Sequence, residues 1–109
     1  MKDGPYHYML EMTVPLGKRN GRLDIEIRCG TVTGYLTMLT DTQPISRGTQ
    51  TGNGISFAGV MRTLARPIPY TAEGMVSHSR LRLVFHTDGG DYAAVGRQAI
   101  IDQRRPIGV

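Results

Sequence analysis

At 109 residues, with 14 glycines, one cysteine, no tryptophan and a formal charge of +4, the chain has room for one core and no second domain. A single cysteine excludes an internal disulfide and a cysteine metal cluster, and no run approaches the roughly 18 apolar residues of a membrane helix. No apolar leader opens the chain, so a cytoplasmic protein is expected, and its basic residues are dispersed over several turns rather than gathered as a nucleic-acid binder would require.

The first expected strand is Tyr6–Leu16, with Tyr6, Tyr8, Leu10, Met12, Val14 and Leu16 on one side. Gly17–Gly21 then reads as a turn, because Asn-Gly is a strong hairpin signal. Arg22–Leu39 is the clearest stretch. Leu23, Ile25 and Ile27 alternate with Asp24, Glu26 and Arg28, the period of a strand with one wet and one dry face. A two-residue Cys29-Gly30 loop folds it back and sets Ile27 against Val32, Ile25 against Gly34 and Leu23 against Leu36. Thr40–Pro44 reads as a loop and Ile45–Thr51 as a fourth strand.

Gly52–Gly54 turns the chain into a fifth strand, Ile55–Thr63, whose Ile55, Phe57, Gly59 and Met61 share a face. Leu64–Pro69 is the longest expected connection, with two prolines that forbid a helix. The sixth strand, Tyr70–Ser77, turns at His78-Ser79 into the seventh, Arg80–Thr87. Asp88-Gly89, expected as a type I′ turn, opens the eighth. Those two turns place Val76 beside Leu81, Ala72 beside Phe85, Phe85 beside Tyr92 and Leu81 beside Gly96. The barrel is expected over residues 6–101, with 102–109 a loose tail.

Eight sequential antiparallel strands with short turns form an up-and-down meander, and closing the first strand on the last removes both exposed edges. The expected fold is therefore all-β: one eight-stranded antiparallel barrel. Its interior is just wide enough to be filled by side chains or to hold one small ligand. Gly34, Gly48, Gly59, Gly74 and Gly96 fall at mid-strand on the apolar face. Two readings stand: they permit tight coiling, or with Ala72 and Ala94 they hollow the inner wall.

The layout of strand, short turn and strand with a central glycine resembles the calycin superfamily of lipocalin, fatty-acid-binding and avidin-type barrels. GRLDIEIRCGTVTGYLTML, GISFAGVMRT and YTAEGMVSHSRLRLVF carry the resemblance. The lipocalin Gly-X-Trp is absent, and there is no tryptophan for an avidin-type cage. The resemblance implies small-molecule binding.

By parity Tyr6, Tyr8, Phe57, Tyr70 and Tyr92 point inward, where tyrosine offers a ring to stack and a hydroxyl that wants a partner. Gln98 and Gln50 share that parity, and Arg62 and Arg66 stand at one mouth as an anion-attracting lip. Those residues other than Gln50 are the expected ligand-binding set for a small apolar or aromatic molecule. His7, His86 and Asp91 are placed together on the outer surface, and no acids pair inside for acid–base chemistry. No metal and no cofactor are expected. Met9, Leu39, Val60, Met75, Val84 and Val95 are apolar on the outer side, and Met75, Val84 and Val95 would form a contiguous patch suited to a homodimer or to docking on a larger enzyme. Three functions are thus expected in descending order: a container for a small ligand, an interaction module with a filled barrel, and a small enzyme.

Overall fold

A computed structural model describes residues 1–38, 40–62 and 65–99 of the chain. The alternating pattern becomes β1 (Gly4–Val14), β2 (Gly17–Arg28), β3 (Thr31–Met38), β4 (Asp41–Pro44), β5 (Ser46–Thr51), β6 (Gly54–Arg62), β7 (Pro67–Ser77), β8 (Arg80–Thr87) and β9 (Gly90–Gln98). Each strand pairs antiparallel with its successors around the ring, and β1 pairs with β9, Leu10 opposite Gly96. The all-β barrel is therefore closed by eight strands, with β4 an extra strand laid against the far half of β3. No helix among the described residues is long and apolar enough to cross a membrane. The expected tail, 102–109, Leu39, the Thr63 end of the fifth strand, Leu64 of the connection and the last barrel residues, 100–101, lie outside the described residues.

Three tight turns set the registers read from the sequence. Ile27 faces Val32 and Leu23 faces Leu36; Val76 faces Leu81 and Ala72 faces Phe85; Phe85 faces Tyr92 and Leu81 faces Gly96. At the first of them Cys29 and Gly30 take φ of 49° and 79°, both positive, as a type I′ loop demands. Asp88-Gly89 differs from expectation. Neither residue has positive φ; Gly90 takes it instead, at 130°, while the Thr87 hydroxyl donates to Gly90 O at 2.7 Å.

Three segments correct the sequence reading. The first turn is Pro15-Leu16, and Gly17–Gly21 belongs to β2, with Asn20 opposite Glu11. Proline fixes its own φ, Gly17 absorbs the reversal at 131°, and Leu16 is left 89% exposed rather than inward. Residues 67–69 are strand, not connection: Pro67 pairs with Arg62 and Pro69 with Val60. The missing donors are tolerated because β8 reaches only as far as Tyr70, leaving that stretch an edge.

Thr40–Pro44 is likewise mostly strand. β4 and β5 act as one strand interrupted by a bulge: β3 spans Val32 to Tyr35 while its neighbour spans Gly48 back to Pro44, one residue more. The extra residue is Arg47, held at φ 53°, and β6 shows the same shift between Ser46 and Thr49. Across the kink, Ile45 N–H still donates to Gly34 O at 2.9 Å.

The dry face of every strand meets inside. Tyr8, Leu23, Ile27, Leu81 and Phe85 are 0–1% exposed, and no polar or charged residue among those described is buried. Each such side chain contributes about 1.5–3 kcal/mol relative to leaving it in water.

Candidate functional site

The glycines decide whether this interior is open. A Cβ on Gly74 would collide with the carbonyl of Arg82 and the Leu83 side chain, and one on Gly34 with the carbonyl of Asp24. At both positions the neighbouring strand lies where a side chain would start, which is the close approach a tightly coiled sheet needs. The space over Gly59 is taken by the Tyr70 ring, whose hydroxyl would stand 2.7 Å from an added Cβ. Over Gly96 lies Leu10 at 2.8 Å. The glycines therefore serve coiling, and large neighbours fill what they leave.

The expected binding residues divide accordingly. Phe57, Tyr70 and Phe85 form an edge-to-face cluster with centroids 5.2–6.4 Å apart. Tyr8 is 1% exposed, and the Tyr6 ring stacks on its flank at 6.5 Å. Burial pushes the Tyr70 hydroxyl far above its ordinary range and raises that of Tyr8, with the Tyr6 hydroxyl adding to the latter. Tyr6 is half-buried and donates to Lys2 O, near the end at which β1 begins. Tyr92 is half-buried beside the Asp88-Gly89 turn, at the opposite end.

The polar members of the set do not face the interior. Gln98 is exposed at the end of β9, beyond the Arg80–Arg97 rung where the β8 ladder stops, which corrects its inward assignment. Gln50 turns its amide to Gly52 O. Arg62 is exposed at the end of β6, and Arg66 is exposed and paired with Asp88 at 3.0 Å. That pairing raises the Arg66 pKa and lowers that of Asp88, chiefly through the hydrogen bond between them. The aromatic and polar residues thus do not converge on one cavity.

Clefts occur on the outer wall instead. One, of about 520 Å³, is an open groove bordered by Thr51, Gly54, Ser56, Met75, Arg82 and Val84. A second, of about 490 Å³, lies over β1–β4 beside His7, Asp24, Tyr35 and Pro44. There His7 Nδ1 lies 2.6 Å from Asp24 Oδ1, and Arg22 Nε 3.0 Å from Asp24 Oδ2. Partial burial pulls the Asp24 carboxyl upward, but hydrogen bonds from Arg22 and His7 overcome it and leave the pKa lowered. The hydroxyls bordering the groove are those of Thr33 and Tyr35.

His86 does pair with Asp91 as the register predicts, Nδ1 to Oδ1 at 3.0 Å, while its Nε2 lies 2.9 Å from Glu73 Oε2. His7 takes no part, because its own rung carries Asp24. The sequence reading missed that pair. Its signal was there: once the first turn is placed at Pro15-Leu16, His7 falls opposite Asp24. Among the described residues no group of three or more His, Cys, Asp or Glu could hold a metal ion.

The outer apolar residues stay exposed: Met9 54%, Met75 60%, Val84 36% and Val95 48%. On the β7–β9 wall, Met75 and Val95 flank Arg82 on one rung, and Val84 stands two residues along β8. No protein-family model matches the chain, and neither a curated protein nor a solved structure matches it significantly.

Proposed function

We propose that the protein is an interaction module: a closed barrel packed solid inside, which docks another protein through the outer wall of β7–β9. The observation that carries this reading is the contrast between the two faces. Inward side chains fill the space their glycines leave, while Met75, Val84 and Val95 keep large apolar surfaces in water on the outer face. A stable fold gains nothing from holding a methionine and two valines there, and a contiguous apolar patch marks an interaction surface. The calycin-type container reading needs interior volume that Tyr70, Leu10 and Leu83 already occupy. An enzyme working inside would have only the phenols of Tyr8 and Tyr70 as buried titratable groups among the described residues, and burial raises the pKa of both away from neutral pH.

Native mass spectrometry on tagged protein expressed in its own host tests this directly. A species heavier than the 12.0 kDa chain, lost in Met75→Asp, is the expected result. A mass excess of small-molecule size that survives Met75→Asp and vanishes on denaturation would restore the container. A bare single-chain mass would remove the docking reading.

A further inference from the structure

The docking wall carries a second feature beside its apolar residues. Arg80 and Arg97 face each other directly across β8 and β9, and Arg82 follows on the same outer face, between Met75 and Val95. Met9 of β1 lies opposite Arg97 on the other side. All three arginines are exposed. Like charges placed directly opposite on adjacent strands destabilise a sheet.

The rest of the surface is arranged differently. Among the described residues every acidic side chain has a polar partner, Glu73 and Asp91 sharing one. Glu11 meets Lys18, Asp24 meets Arg22 and His7, Glu26 meets Arg28, and Asp88 meets Arg66. Glu73 and Asp91 both hold His86, Asp3 accepts from Cys29 N–H, and Asp41 accepts from Gln43. Among the described residues no carboxylate lies within ion-pair distance of Arg80, Arg82 or Arg97. Three uncompensated guanidinium groups therefore stand together on the wall that carries Met75, Val84 and Val95, whereas Arg19, Arg47 and Arg62, also without a carboxylate within ion-pair distance among the described residues, stand apart on β2, β5 and β6.

Resting on the docking reading, we infer that this wall binds an acidic protein segment in which Asp or Glu stands among apolar side chains. A guanidinium forks onto a carboxylate with two parallel hydrogen bonds, and arginine with methionine is the composition interfaces favour. The spacing fits: Arg82 sits between Met75 and Val95, so a bound segment must offer an acid flanked by apolar groups. A second copy of this chain does not fit. A two-fold contact sets the same patch against itself and would bring the arginines of both copies together. Nucleic acid fits less well, since its binding surfaces are far more polar and more densely basic than three arginines among Met9, Met75 and Val95.

The test is fluorescence anisotropy at low salt with a labelled Glu-Leu repeat peptide, alongside Lys-Leu, poly-Glu and single-stranded poly-dT probes. Saturable binding of the Glu-Leu peptide is expected, weakened about tenfold or more in Arg80→Glu/Arg97→Glu. Met75→Ser should weaken it several-fold. Arg82→Gln, a milder exposed change, serves if the double reversal perturbs the fold by circular dichroism. Equal affinity in the arginine variants, or no binding of the Glu-Leu peptide, overturns the inference. So does equal binding of Lys-Leu, or tighter binding of poly-Glu or poly-dT. The docking reading stands separately on the Met75→Asp mass measurement: a complex lost in Met75→Asp but kept in Arg82→Gln would leave the wall an interface and remove its preference for acids.

Discussion

Two walls of this barrel are built from the same alternation and solve the curvature problem differently. From β6 round to β9 each ladder runs without a register shift, Gly54 to Met75 through Thr87 to Gly90. Between β3 and β6 the wall is broken: one residue is added at Arg47, and the strand splits into β4 and β5. The regular wall bends at glycines over which the next strand closes. The broken wall closes over a glycine too, Gly48 under the Val32 carbonyl, and in addition leaves one residue out of the ladder, which re-aims its twist. Regularity keeps the outer face of β7–β9 continuous, and that continuity is what makes it a docking surface.

The regular wall should be the less forgiving of the two. Phe85 is 0% exposed and its ring lies 5.2 Å from Tyr70. Phe85→Ala should cost about 3–5 kcal/mol, the usual range for deleting a buried ring. Urea unfolding measures it, and a loss under about 1 kcal/mol would mean that the interior collapses easily and is not packed as described. Next come the glycines. Gly74→Val drives a side chain into backbone, which cannot swing away, so a loss at or above the upper end of the usual overpacking cost of about 1–3 kcal/mol is expected. Gly59→Val meets the Tyr70 ring, which can turn, and should cost less. Reversal of that order would show that Tyr70 is held more rigidly than the wall of β7–β8.

The same contrast explains what the sequence made legible. Strand alternation and two-residue turns at Cys29-Gly30, His78-Ser79 and Asp88-Gly89 fix register by parity alone, so the regular wall could be read residue by residue. Parity also placed Met75, Val84 and Val95 outside. It could not place Arg47, because a bulge is a single unpaired residue with no compositional mark, and nothing about an arginine suggests φ of 53°. Nor does parity say whether the space over a glycine is empty: that depends on the neighbouring strand, where Tyr70 stands over Gly59. Parity gave the side each tyrosine takes but not its packing: Tyr8 and Tyr70 are buried, and Tyr6 and Tyr92 are half-buried at opposite ends. The Asn20-Gly21 signal misled for a related reason: Pro15 had already turned the chain.

Arg47 offers a gentler probe of the broken wall. A left-handed conformation costs an L-residue about 1–2 kcal/mol, and glycine escapes that cost but loses more chain entropy on folding. Arg47→Gly should therefore raise stability slightly, by about 0.5 kcal/mol, while Arg47→Val should lower it by about 1 kcal/mol or more. A destabilised glycine variant would show that the arginine side chain, not the bulge, holds β5 against β6.

The smallest effect lies on the outer surface of the regular wall, where His86 ties β7 to β9. Hydrogen bonds to Asp91 and then Glu73 raise its pKa above the ordinary 6.5. An imidazole whose folded pKa is raised holds a proton more tightly in the fold than in the unfolded chain. Its contribution is thus complete below the unfolded value and is lost as pH rises through the folded one. The advantage of the native protein over His86→Gln should be largest near pH 6 and shrink as pH is raised, with thermal unfolding as the readout. Because the group is exposed, salt should shrink it too. An advantage that grows with pH would mean the neutral ring is the form the wall prefers, with Glu73 and Asp91 taking their partners elsewhere. One that ignored both pH and salt would mean that His86 acts by packing alone, leaving the charges of Glu73 and Asp91 uncompensated by it.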